Sequence, residues 1–241
     1  MKLFAGIAAA CVVLMSGTPP QKPDVMFQPG TKLTFAGISD PDGKFQYKYS
    51  ATLTVTEVEN SGSRGTASAL MVYTAENRKG EIEPYDMIVM RFAYDSLNYY
   101  VHAVNYSNSR ASKDSREKLD ANGDSLWYPL NMKVGDTLRD SWFKSVSSGD
   151  DVSTISNTKF RKRKVVAADT LQFSFGAVPV YRIEMTRVDD VRFKSPATGE
   201  QNTKNETKIT EWFSPRLGVV RAVYEYDRYT QRMELERYAV K

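Results

Sequence analysis

The chain has 241 residues, of which 41% are hydrophobic, 12% aromatic and 26% charged. Those values suit a soluble globular protein and exclude disordered, collagenous and polytopic membrane classes. A net charge of +4 is too small a bias to imply nucleic acid. One Cys and one His exclude a disulfide framework, a Cys-rich zinc site and a multi-His centre, so neither metal nor cofactor is expected.

Lys2 precedes an apolar run from Leu3 to Met15, followed by Ser16 and Gly17. About 20 apolar residues are needed to span a bilayer, and this run is shorter. A positive start, a short apolar region and small residues behind it read as a secretory signal peptide over 1–20. The expected address is therefore the periplasm or cell envelope. Ala8-Ala9-Ala10-Cys11 also has the small residues of a bacterial lipobox, but apolar Val12 to Met15 would then follow the lipidated Cys. Cys11 as an inert part of the leader is the preferred reading. Pro-rich residues 21–30 read as a tether, and 31–241 as a single β domain, because no second linker interrupts them.

Period two dominates the chain from residue 31 onward. From 45 to 55 the odd positions read Phe45, Tyr47, Tyr49, Ala51, Leu53 and Val55, and the even ones are mostly Lys, Ser and Thr. Successive strand side chains face opposite ways, so this strand buries one face and wets the other. Asp40-Pro41-Asp42-Gly43 is turn chemistry that pairs it with 32–37. Thr66 to Thr74 is a weaker strand. Ile88, Met90, Phe92 and Tyr94 share a face; Asp95-Ser96 then turns the chain into Leu97, Tyr99, Val101 and Ala103. Tyr181, Ile183 and Met185 alternate, as do Val220, Ala222, Tyr224 and Tyr226, and Met233 and Leu235 mark a last strand. Turn-rich breaks fall at Asn60-Ser61-Gly62, at 147–150 and at 196–199. No segment carries an apolar stripe at helical spacing, and charged 112–119 reads as a loop or short surface helix. The fold class is all-β, an antiparallel sheet curling into a barrel or sandwich, with little helix.

Chemical candidates are few. His102 shares a polar strand face with Asn98 and Tyr100 and reads as a solvated or hydrogen-bonded residue. Without a Gly-x-Ser-x-Gly elbow, Ser-His-Asp chemistry is disfavoured, and no catalytic residue is assigned. Asp120-Ala121-Asn122-Gly123-Asp124 spaces three oxygen ligands like the start of a calcium loop, but the glycine is misplaced and position twelve is Asn131. A tight Asn-Gly turn is the simpler reading. Arg161-Lys162-Arg163-Lys164 reads as a solvated edge strand guarded by charge, with contact to anionic headgroups or acidic glycans as the alternative. Tyrosine is abundant, 14 residues, mostly at alternating strand positions where core packing explains it. Aromatics lining a concave sheet can also grip a ligand.

The second half carries Trp127-Tyr128-Pro129-Leu130, Val134-Gly135-Asp136-Thr137-Leu138, Lys164 to Thr170, Val180-Tyr181-Arg182-Ile183 and Glu211-Trp212-Phe213-Ser214-Pro215-Arg216-Leu217-Gly218-Val219-Val220-Arg221. In that order they resemble the TapB-like exported proteins of Bacteroidetes, within a broader group of bacterial envelope proteins of unknown function. The likeness spans roughly 127–228. It implies a single strongly curved antiparallel sheet, half-barrel or β-roll, outside the cytoplasm, and it brings no catalytic residues. In that corner Trp212 is expected to cap the apolar interior, and Glu211, Arg216 and Arg221 to form surface ion pairs. The same likeness makes Asp-Ser/Thr-aliphatic triplets at Ser96, Ser125, Thr137 and Thr170 resemble an O-glycosylation signal.

The expected function is a non-enzymatic envelope protein whose curved sheet binds an apolar or lipid-like ligand or a partner protein, with peripheral membrane contact open. A glycan-binding or glycan-processing protein, and an assembly factor acting through a sheet edge, are the alternatives. Tyr99, Tyr181, Trp212 and Tyr224 are the candidate ligand-binding residues.

Overall fold

The computed structural model describes residues 27–40, 47–76, 80–107, 118–148, 153–197 and 199–240. The first half forms β1 (Lys32–Asp40), β2 (Tyr47–Ser61), β3 (Arg64–Glu76), β4 (Ile82–Tyr94), β5 (Asn98–Ser107), β6 (Lys118–Gly123) and β7 (Leu126–Pro129). The second half forms β8 (Ser141–Ser148), β9 (Ser153–Phe173), β10 (Gly176–Ser195), β11 (Gly199–Ser214), β12 (Gly218–Glu225) and β13 (Thr230–Ala239). All thirteen belong to one antiparallel sheet in the order β6-β8-β9-β10-β11-β12-β13-β1-β2-β3-β4-β5-β7. The sheet curls until its two ends meet, β5 lying against β6, so the barrel is nearly closed.

The last strand, β13, pairs with the first and joins the two halves. The alternation foreseen in β2 holds: Tyr49, Ala51, Leu53 and Val55 are buried, and β1 pairs with them through Leu33 and Phe35. The hairpin turn at 41–46 lies outside the described residues, as does most of 112–119, where 118–119 already belong to β6. The predicted breaks at 60–62, 147–150 and 196–199 join β2–β3, β8–β9 and β10–β11. Asp95 closes the β4–β5 turn, its Oδ1 accepting from the backbone N–H of Leu97 and Asn98 at 2.8 Å each. Leu97 therefore sits in the turn, 61% exposed, and not on the inner face with Tyr99 and Val101, because the strand starts one residue later.

Two segments differ from their sequence reading. Asn122-Gly123 is not a tight turn: it ends β6, with Gly123 paired to Phe143 of β8. A Cβ on Gly123 would strike the Trp142 carbonyl, so the glycine is there for close backbone approach. The basic run 161–164 is not at a free edge: within β9 it runs beside β10 on one side, and residues 136–138 lie along the other. Lys162 takes a positive φ of 54°, and the register with β10 shifts beside it. This bulge splits the run: Arg161, Lys162 and Lys164 are exposed, whereas Arg163 turns inward and is 0% exposed.

Packed structure reaches back to Phe27, buried 4.5 Å edge-on from Tyr94. At the far end of the wall the β9–β10 hairpin runs past the β11–β12 turn, and Phe175 reaches the ring of Tyr238 in β13 at 4.9 Å.

Candidate ligand-binding face

The concave face has two unlike ends. One end, bounded by the β2–β3, β4–β5 and β11–β12 turns, is closed by rings. Tyr99 packs 5.5 Å from Phe213, and Tyr128 stacks on Phe213 at 4.5 Å with only 8° between planes. Rings from β5 and β7 thus touch β11 on the opposite wall. Under them lies a polar cluster. Tyr128 donates to Glu211 Oε2 at 2.9 Å, and the Arg163 guanidinium sits 4.9 Å over the Tyr128 ring. Arg163 Nη1 donates to the Arg139 carbonyl, while its Nε and Nη2 have no protein partner. Burial raises the Glu211 carboxyl above its usual range, against the lowering pull of the Tyr128 hydrogen bond and the Arg163 charge. Burial and the Glu211 charge push the Tyr128 hydroxyl up.

The other end is less tightly sealed. Tyr73, Phe143, Phe160, Tyr224 and Met233 are only part-buried although they pack against the core. Tyr49 lies across Gly37, where a Cβ would fall within its ring, and its hydroxyl accepts from Gln231 Nε2 at 2.8 Å. Tyr73 follows at 6.2 Å. Burial pushes the Tyr224 hydroxyl well up, helped by Glu211 and Tyr73, with Arg187 pulling the other way. Arg187 pairs with Asp189 at 2.8 Å, and Thr158 donates to the same carboxylate at 2.6 Å. An apolar, tyrosine-rimmed surface with one charged pair at its edge suits an apolar or amphiphilic guest.

The four candidate residues separate. Tyr99 is buried in the ring plug, and Tyr181 is half-buried opposite Phe213 on the inner face. Tyr224 belongs to the open end. Trp212 pairs with Arg182 and Arg221 on the opposite side of the sheet from Phe213, and Arg221 stacks over it at 5.4 Å. The expected corner ion pairs are also rearranged, because Glu211 alternates inward with Phe213: Arg221 pairs with Glu234, and Arg216 lies over Tyr238. His102 is in β5 opposite Arg91, its side chain outside the described residues, as are those of 120–122 in the calcium-like stretch. No group of three metal-ligating side chains occurs among the described residues.

Sequence reasoning missed Arg163 and Glu211 as interior residues. A signal existed: Arg163 shares parity with Val165, and Glu211 with Ile209 and Phe213, all buried.

The DUF3108-like family model matches residues 28–234. The chain belongs to the DUF3108-like family. None of the curated proteins matches it. Among solved structures, this DUF3108-like chain is similar to a Bacteroides fragilis protein of YmcC-like fold assigned as exported, at TM-score 0.59 and 14% identity. A Parabacteroides distasonis protein assigned as a lipoprotein gives TM-score 0.57 and 13% identity. Each match covers 88% of this chain and 96% of the other. At such identity the likeness is one of fold.

Proposed function

We propose that the chain is an exported envelope protein that binds an apolar or lipid-like ligand on the concave face of its sheet, without catalysing a reaction. The observation that carries this reading is the contrast between the two ends. One is plugged by stacked rings, while toward the other Tyr73, Phe143, Phe160, Tyr224 and Met233 pack on the core yet stay part-buried, a surface that suits an apolar guest. Export is supported by the leader-like residues 1–20 and by the assignments of the two similar structures. The likeness of 127–228 to the TapB-like exported proteins belongs to the same reading. A partner protein is the other occupant the face could take.

Native mass spectrometry of protein purified from an envelope fraction tests it. The expected result is an extra mass that denaturation releases, reduced in a Tyr73→Ala/Tyr224→Ala variant. A bare mass, together with no uptake of an added fatty acid or phospholipid, would overturn it.

A further inference from the structure

The plugged end and the open end meet at Arg163. Strand register sets it level with Met185, Ile209 and Tyr224, one layer nearer the open end than Val165, Ile183 and Glu211. Phe160 follows it along β9 toward that end, part-buried like Tyr224. The Arg163 guanidinium is wholly buried, and two of its nitrogens, Nε and Nη2, lack a protein partner. Nη1 is taken by the Arg139 carbonyl at 2.9 Å, and the guanidinium carbon sits 4.9 Å over the Tyr128 ring. Nε and Nη2 share one edge of the group, the edge that holds a carboxylate through two parallel N–H···O bonds. Glu211 does not fill it. That carboxylate accepts from Tyr128 at 2.9 Å and acts on Arg163 only through its charge.

Protein interiors pair nearly all their buried donors, and a charged group left short is the costliest exception. Two adjacent donors of one buried guanidinium, unfilled by protein, therefore mark the place of an acceptor. A carboxylate satisfies both at once and brings a countercharge into direct contact. A phosphate monoester would bring nearly two negative charges beside Glu211, where a carboxylate brings one. We propose that Arg163 receives the carboxylate head of an amphiphile whose tail lies over Phe160, Tyr224 and Tyr73, with fatty acids as the matching class. This inference rests on the apolar-ligand reading and adds the head group to it.

Dodecanoate and methyl dodecanoate share a chain and differ in the charge of the head. Their affinities at neutral pH, measured by titration calorimetry on envelope-purified protein stripped of adduct, test the proposal. The acid is expected to bind about tenfold tighter or more, the worth of hydrogen bonds to a charged group. Glu211→Gln removes the like charge and should widen that ratio several-fold. Arg163→Met/Glu211→Gln leaves neither charge in the cluster and should abolish the preference, with cooperative urea unfolding showing that the chain folds. Equal affinity for acid and ester in the parent overturns the inference while the apolar-ligand reading stands, Arg163 then holding ordered water only. A preference that survives the double variant, or a ratio that Glu211→Gln leaves unchanged, places the head elsewhere and also overturns it. Binding of neither compound overturns both readings.

Discussion

Tyr128 and Glu211 stand 83 residues apart in sequence, and their side chains meet at 2.9 Å inside the barrel. The bond ties β7, the terminal strand at one end of the sheet, to β11 on the opposite wall. An edge strand of four residues has few ladder bonds of its own, so this contact and the Tyr128–Phe213 stack hold it in place. Removing the hydroxyl with Tyr128→Phe leaves a buried carboxylate short of a donor, at a cost of about 1–3 kcal/mol. Glu211→Ala should cost more, about 3–5 kcal/mol, because the buried Arg163 then loses its nearest counter-charge. Urea unfolding midpoints of the two variants check the order; a Glu211→Ala variant as stable as the parent would contradict it.

The same carboxyl sets a pH dependence. Burial raises the folded-state pKa of Glu211 above its ordinary 4.5, so the folded chain holds that proton more tightly than the unfolded one. Below pH 4.5 both states are protonated and the effect is absent. Between 4.5 and the higher folded value the folded state binds more protons, and this group's contribution to stability falls as pH rises. Glu211→Gln keeps an acceptor for Tyr128 and carries no charge at any pH. The difference in unfolding free energy between Glu211→Gln and the parent should therefore shift in favour of the variant across that window. A difference that stays flat with pH would show that Glu211 titrates normally.

The range of each interaction decides how much of it was legible in the sequence. The alternation of Tyr49, Ala51, Leu53 and Val55 depends only on neighbours two residues apart, and it gave the strand, its face and the all-β class directly. The Asp95 turn was legible for the same reason. Arg163 was harder to read: its parity with Val165 points it inward, but a run of four basic residues reads as solvated, and the bulge at Lys162 sets it apart from Arg161. The inward direction of Glu211 follows from its alternation with Ile209 and Phe213, but its partner does not: Tyr128 arrives from β7 across the interior, which no local pattern reports. Trp212 shows the opposite failure: a large aromatic beside Phe213 reads as core, yet alternation sends it to the other face, where Arg221 covers it.

Gly37 and Tyr49 form a second pair that is testable on its own. The Tyr49 ring occupies the space a side chain at 37 would need, directly across the β1–β2 ladder. Gly37→Ala should therefore cost about 1–3 kcal/mol by displacing the ring, and Tyr49→Ala about 3–5 kcal/mol by emptying its place. In the double variant the new methyl meets no ring, so the combined loss should fall below the sum of the two by about 0.5–3 kcal/mol. Strict additivity in urea midpoints would mean the ring does not rest on the glycine.

Arg163 makes the sharpest prediction about the interior. Its guanidinium is wholly buried, donates to the Arg139 carbonyl, and leaves Nε and Nη2 without a protein partner. Such a charge is costly to bury, and Glu211 offsets part of that cost without a direct ion pair. Arg163→Met preserves much of the aliphatic volume but strands Glu211 as a lone buried charge, so it should destabilise by about 3–5 kcal/mol at neutral pH. Much of that loss should return at pH 4, where the carboxyl is protonated in both states. Adding Glu211→Gln removes the second charge as well, and the Arg163→Met/Glu211→Gln chain should be more stable at neutral pH than Arg163→Met alone. Arg163→Lys should not substitute for arginine, because one ammonium cannot both lie flat on the Tyr128 ring and reach the Arg139 carbonyl in the same geometry. If Glu211→Gln changes stability by the same amount in the Arg163→Met chain as in the parent, the two buried charges are not energetically coupled.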